Sequence, residues 1–392
     1  MKALRFPRVV AVFLSIAIIV VQVATAQTQG EPAPLANFVV AGYGSATYGA
    51  VTSEDLSNDF TAAVSPVMLY SMGSDLLFET ELEFGLSGQA TTTALEYAQV
   101  DYLGFNRVQL IAGKFLMPFG VFTERFHPSW INKMPTAPLL YGHAHGGVAE
   151  GALLPMLSDA GVLVRAKQPV GGAWSLDVSA WVTQGPRLVE AGAGGDDHAE
   201  EADDGHAHKV GGVLDEDHGE ELSASDLTIP DVGFGVAFAD NNKNKLIGGR
   251  VGVVHGPRFE SYVSGFYAMY DDESFLHIYG LNYSLDVQSA GFELHGEATV
   301  LHQEFPTDTG YDEFARWGYY AQVSRRVGSF EPVVRWSQLA ESEVRGVVAF
   351  EDRQEFAAGL NFWISPSVPV KVAYALDSNG DDRILVQWAF GF

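Results

Sequence analysis

Beyond residue 26 the chain has no apolar run long enough for a transmembrane helix, which takes about 20 residues, yet it alternates apolar and polar residues again and again. The stretch RILVQWAFGF (383–392) shows the pattern. Ile384, Val386, Trp388, Phe390 and Phe392 fall on one face, and Arg383, Gln387, Ala389 and Gly391 on the other. Such alternation is a strand with one oily face. In a soluble domain, aromatics at a fraying chain end would meet water. In a bilayer they are at home, because a tilted strand of about ten residues crosses the hydrocarbon with alternate residues facing lipid and lumen. The expected fold is therefore all-β: a transmembrane antiparallel β-barrel.

The first 26 residues carry Lys2, Arg5 and Arg8, an apolar run from Val9 to Val23, and Ala24-Thr25-Ala26 as a small-residue cleavage site. This reads as a secretory signal peptide (1–26), followed by a periplasmic segment (27–36) and the barrel (37–392). There is no cysteine, hence neither a disulfide framework nor a thiol for lipid attachment despite export. Composition taken whole would mislead. The formal charge of −26 becomes −29 when the leader's three cations leave, and the mean hydropathy is only +0.06, which suggests an acidic soluble protein. A barrel averages an oily exterior with a wet interior, so bland hydropathy is expected of it.

The amphipathic stretches number sixteen: near 37–49, 60–70, 75–87, 93–103, 106–115, 160–168, 173–184, 246–254, 259–270, 275–285, 289–302, 314–326, 329–341, 353–365, 369–377 and 382–392. Residues 231–239 (DVGFGVAFA) are assigned to a loop. An even count puts both ends of a bacterial barrel on the periplasmic side. The connections SMGS, GF, PVGG, HGPR and VG then lie there, and the long ones lie outside. In 75–87, Phe78, Leu82, Phe84 and Leu86 oppose Glu79, Glu81 and Glu83. A charge facing lipid costs about 2–4 kcal/mol at mid-depth, so the glutamates must face inward. The stretches 106–115 and 259–270 alternate poorly. A soluble sandwich or propeller is the competing architecture, and it explains neither Phe392 nor the rhythm of short and long connections.

A sixteen-stranded barrel leaves an aqueous channel. Glu79, Glu81, Glu83, Glu293 and Glu297, with His295 among them, are expected to make one wall acidic. Arg316, Arg326, Arg335, Arg353, Lys371 and Arg383 fall on inward parities of the later strands and are expected to make another wall basic, giving a transverse field. The stretch GKFLMPFGVFTERFHPSWINKMPTAPLLYG (113–142) opens a loop, 116–159, rich in aromatics and prolines. So long a loop needs a buried home, and the barrel mouth supplies one. Lys114, Arg125, His127, Asn132 and Lys133 are then candidates to line or narrow the channel.

On the residues Gly113, Lys114, Phe115, Pro118, Phe119 and Gly120 of GKFLMPFG, with NNKNKLIGGRVGVV (241–254) and the terminal Phe392, the chain resembles the phosphate-selective porin O/P-like outer-membrane proteins. The resemblance implies a sixteen-stranded homotrimeric porin with a long third loop folded inward, and a ladder of basic lumenal residues for phosphate. The sequence departs from that ladder: it has 23 Lys+Arg against 49 Asp+Glu, and its lumen mixes arginines with glutamates.

A second long loop, 185–245, contains the tract DDHAEEADDGHAHKVGGVLDEDHGEE (196–221). Acid-rich runs repel themselves and stay solvated. His-rich tracts also bind metal: His198, His206, His208 and His218, with His143 and His145 of the preceding loop, could hold weakly exchanging zinc. The acids alone could instead take calcium or magnesium from a lipopolysaccharide layer. No nucleophile, base and orienter converge at the barrel rim, so no enzyme is expected. The functional expectation is a passive porin in the outer-membrane bilayer for small hydrophilic solutes and ions, with no cofactor and no nucleic-acid partner. The alternative is a zinc-acquisition protein whose His/acid loops capture the metal.

Overall fold

The computed structural model describes residues 37–51, 59–88, 90–142, 152–154, 158–188, 229–230, 232–234, 244–271, 273, 275–307, 310–380 and 382–392. The expected leader and the segment 27–36 lie outside the described residues. No described helix is long and apolar enough to cross a membrane.

Sixteen antiparallel strands close into one barrel. The first seven are β1 (Asn37–Val51), β2 (Asp59–Met72), β3 (Leu76–Ser87), β4 (Ala90–Phe105), β5 (Val108–Leu116), β6 (Ser158–Gly171) and β7 (Trp174–Thr183). The next six are β10 (Leu246–His255), β11 (Phe259–Met269), β12 (His277–Ser289), β13 (Phe292–Thr307), β14 (Gly310–Arg325) and β15 (Phe330–Leu339). The last three are β18 (Arg353–Ser365), β19 (Val368–Asp377) and β20 (Arg383–Gly391). Two small two-stranded sheets are separate from the wall: β8 (Arg187–Leu188) pairs with β9 (Val232–Gly233), and β16 (Ser342–Val344) with β17 (Val347–Phe350). Of the stretch 231–239, Val232 and Gly233 thus pair in a sheet separate from the barrel's, with Val232 against the lumenal apolar cluster, and the count of sixteen stands.

The RILVQWAFGF stretch makes the closing seam. β20 pairs with β1 from Arg383 opposite Val51 to Gly391 opposite Tyr43, and Gly42 and Phe392 exchange backbone hydrogen bonds of 3.0 and 2.9 Å. Trp388, Phe390 and Phe392 point outward, while Gln387 and Ala389 are buried inward. The same two-residue period runs round the barrel: Phe356, Leu360, Phe362 and Ile364 of β18 are exposed, and Glu355 and Asn361 on the opposite parity are buried. Some connections are as tight as a hairpin allows. Between β12 and β13, Ala290 and Gly291 have φ of +52° and +80°, the left-handed pair that fits the twist of the flanking strands.

Two features obscured the pattern in the sequence. β5 and β11 alternate poorly because their inner faces are also apolar in part: Ile111, Phe115, Tyr262 and Phe266 are all buried, packed against residues 117–141 inside the barrel. β13 and β14 outrun the expected 302 and 314, pairing as far as Thr307 with Gly310, because polar side chains such as Glu304 and Glu313 interrupt the oily row while the backbone ladder continues. A β-bulge interrupts the β3–β4 pair, with Glu81 opposite Tyr97 and Leu82 opposite Leu95, leaving Glu96 as the extra residue.

Leu360, 46% exposed in mid-strand, tests which face meets lipid. Leu360→Arg is expected to lower the folding free energy by about 2–4 kcal/mol, measured by denaturant unfolding in lipid vesicles. An unchanged midpoint would mean that this row does not face hydrocarbon.

Candidate channel constriction

The chain leaving β5 turns into the barrel. Met117, Phe119, Val121, Phe122, Met134, Leu140 and Tyr141 are all buried there. Residues 122–126 form one turn of π-helix, closed by the bond from His127 N to the Phe122 carbonyl at 2.9 Å. Further on, Tyr141 bridges to Leu154, with Leu154 N donating to the Leu140 carbonyl at 2.8 Å. A backbone without regular structure carries N–H and C=O groups that must find partners once buried. The wall supplies them.

Glu297 of β13 is one anchor. Its carboxylate accepts from Val121 N at 3.0 Å, Phe122 N at 2.8 Å, Tyr141 Oη at 2.9 Å and Tyr320 Oη at 3.0 Å. Gly120, the last residue of GKFLMPFG, makes the approach possible. Its φ is +78°, and a Cβ there would stand 2.4 Å from Glu297 Oε2. Phe119 packs edge-on to Phe266 at 4.8 Å, and Phe122 stacks on Tyr141 at 4.9 Å.

Lys371 of β19 is another anchor, 1% exposed. Its Nζ donates to the Ser129 carbonyl, to the Asn132 carbonyl at 2.6 Å and to Gln387 Oε1 at 2.8 Å. Arg335 of β15 is equally buried: it donates to the Thr136 carbonyl at 2.6 Å, to Thr136 Oγ1 at 2.8 Å and to Glu355 Oε1 at 2.8 Å. Lys133 reaches back to Glu293 at 3.2 Å and Glu331 at 2.9 Å. On the π-turn, Glu124 bridges Arg250 at 2.5 Å and also Arg165, while Arg125 bridges Glu260 and donates to Tyr262 Oη at 2.9 Å. Burial pushes the Glu124 carboxyl up, but Arg250, Arg165 and Arg125 outweigh it and hold it at about 2, below the usual 4.5.

The other expected lining residues also have partners. Arg353 pairs with Asp377 at 2.8 Å, and Arg383 with Glu355 at 3.0 Å. Arg316 donates to the Ala152 carbonyl at 3.3 Å and lies over the Phe350 ring. Arg326 lies just past β14, over Trp363. Lys114 stands in register with Ala98 and Ala160 and donates to the Leu95 carbonyl at 2.7 Å, beside the bulge. His295 lies 2.9 Å from Asp286, with Phe126 against its ring. His127 meets Tyr43 Oη at 3.1 Å, and Tyr43 donates to Glu81 at 2.5 Å. Asn132 Nδ2 bonds the Thr136 carbonyl at 3.0 Å within the loop. Sequence reasoning missed Tyr43, Asp101, Glu124, Arg165 and Arg250. Of these, Arg250 had a signal. It shares the inward parity with Gly248 and Gly252, where a Cβ would run into the rings of Trp181 and Tyr262.

Most of these anchors lie on β10 to β20, so the loop leans on that wall and space remains along the opposite one. On the side of the short turns a cavity of about 740 Å³ is lined by Tyr43, Glu79, Glu81, Asp101, His127 and Arg165, among others. On the other side a second, of about 560 Å³, is lined by Thr47, Asp59, His127, Thr136, Arg383 and Gln387, among others. His127 borders both. The six histidines expected to bind zinc, His143, His145, His198, His206, His208 and His218, lie outside the described residues. Among the described residues no three His, Asp or Glu side chains are grouped to hold a metal.

Solved structures share this architecture. The trimer form of OmpT of Vibrio cholerae matches 92% of the chain and 100% of its own, with a TM-score of 0.54 and 10% identity. The anion-selective porin from Comamonas acidovorans matches 91% and 100%, with a TM-score of 0.52 and 11% identity. The outer membrane channel DcaP of Acinetobacter baumannii matches 94% and 100%, with a TM-score of 0.54 and 10% identity. The fold is that of the outer-membrane porins. No protein-family model matches the sequence, and no curated protein matches it.

The anchors generate two expectations. Lys371→Met removes the donor from buried carbonyls, a loss of about 1–3 kcal/mol. It is expected to expose Lys133 to trypsin in the detergent-folded protein, and continued protection would mean that the clamp does not hold the loop. Because the Glu124 carboxyl is held below its unfolded value, its tether is complete above about pH 4.5 and is lost as pH falls towards 2. Amide exchange of residues 117–142, corrected for the intrinsic rate, should rise across that window, and Glu124→Gln should flatten the rise.

Proposed function

We propose that the chain is a passive outer-membrane porin: a water-filled barrel, narrowed at mid-depth by an inward loop, that admits small hydrophilic solutes and ions. One observation carries this reading above the rest. The loop is tied mainly to one wall and leaves two cavities along the other, both bordered by His127. A plug serving only stability would be expected to fill the cross-section. The oily exterior and the expected leader support a place in the bacterial outer membrane, with lipid and lipopolysaccharide around the barrel. The likeness to an outer membrane protein solved in a trimer form supports assembly as a homotrimer.

The relationship to phosphate-selective porins rests on GKFLMPFG, whose Gly120 seats the loop against Glu297. That role speaks for architecture rather than for phosphate. Zinc capture rests on the histidine-rich tract, which is separable from the barrel.

Purified full-length protein added to planar bilayers is expected to give discrete conductance steps; their absence at high protein would sink the porin reading. Deleting residues 196–221 should leave the step size and growth at low zinc unchanged, whereas a metal collector would lose growth.

A further inference from the structure

Building on the porin reading, we infer that the open path favours cations, small hydrated metal ions and amines, and that Glu79 and Asp101 set this preference with Glu81 beside them. The lumen contains both acids and bases along the strands, so the sign of the field along the open path depends on which charges line the two cavities. Arg335, Lys371, Lys133 and Arg250 line neither cavity, and Arg383, which lines the second together with Asp59, is paired with Glu355. Arg335 and Lys371 are each 1% exposed and give their donors to loop carbonyls and neighbouring acceptors. Lys133 lies between Glu293 and Glu331, and Arg250 is spent on Glu124.

The carboxylates of the opposite wall are held differently. The larger cavity is lined by Glu79, Glu81, Asp101 and Glu124 against a single guanidinium, Arg165, and Arg165 is paired with Glu124. Asp101 is oriented by two neutral amides: Gln99 Nε2 and Gln109 Nε2 each donate to it at 2.9 Å. Gln99 Nε2 also lies 3.5 Å from Glu79 Oε2. Amide donors fix a carboxylate in place without cancelling its charge. Among the described residues no cation lies within salt-bridge distance of Glu79 or Asp101. A negative wall beside a narrow water path raises the local concentration of cations and lowers that of anions. The aromatic rings of Tyr43, Tyr97 and Trp130 border the same cavity and suit an organic ammonium as well as a metal ion.

The test is the reversal potential of the full-length protein in a planar bilayer separating unequal KCl solutions. The wild type is expected to pass potassium in preference to chloride, with the preference fading as salt rises and screens the wall. Glu79→Gln combined with Asp101→Asn keeps the side-chain size while removing both charges, and should lower the potassium-to-chloride permeability ratio by roughly twofold or more. Chloride preference in the wild type would overturn the inference while leaving the porin reading intact, as would an unchanged ratio in the double variant. Absence of any conductance would overturn both. The wild-type sign is decisive even if the double variant folds poorly.

Discussion

Hydrocarbon offers no hydrogen bonds, so every N–H and C=O that crosses it must find a partner within the protein. For a chain that crosses by strands, this means a sheet with no free edge. Here the requirement is met at the seam of β1 and β20, where the pairing runs from Val51 with Arg383 to Tyr43 with Gly391 and ends in the reciprocal bonds between Gly42 and Phe392. Once the sheet closes, each residue's parity decides whether it faces lipid or lumen. The outward row becomes oily and aromatic, and the inward row is free to be polar.

The same rule acts inside the barrel on a smaller scale. Residues 117–142 bring irregular backbone into a confined space, where its polar groups need partners as urgently as those of a strand. Glu297 takes two N–H groups, Lys371 takes two carbonyls, and Arg335 takes a third. Side chains that strand parity marks as pore charges therefore act as loop anchors. Burying them is tolerable because each is held by several matched donors or acceptors. The consequence is an asymmetric lumen, occupied on the wall of the later strands and open chiefly along β1 to β4.

Legibility in the sequence followed the range of the physics. The strands of the seam, β3 and β18 could be read because one face meets lipid and the other water, a contrast that repeats every two residues. β5 and β11 could not, since their inner faces press on the loop through Phe115 and Phe266 and lose that contrast. The inward facing of Arg335 and Lys371 was legible. Their partners were not: Thr136 is 199 residues from Arg335 and Asn132 is 239 from Lys371, and both offer backbone carbonyls that leave no trace in residue identity. Tyr43 and Asp101 escaped notice because nothing local distinguishes them from other inward polar residues.

Taken by itself, the sequence determined the barrel, its sixteen strands and the direction in which most side chains point. All of these follow from a period of two acting on neighbours along the chain. Only the tertiary structure decided which of the inward charges line the open cavities and which are paired away from them. Charge pairing depends on separations of a few ångströms in a poorly screened interior, and those separations are set by where the loop settles. Two lumens with identical strand parity can for that reason carry fields of opposite sign.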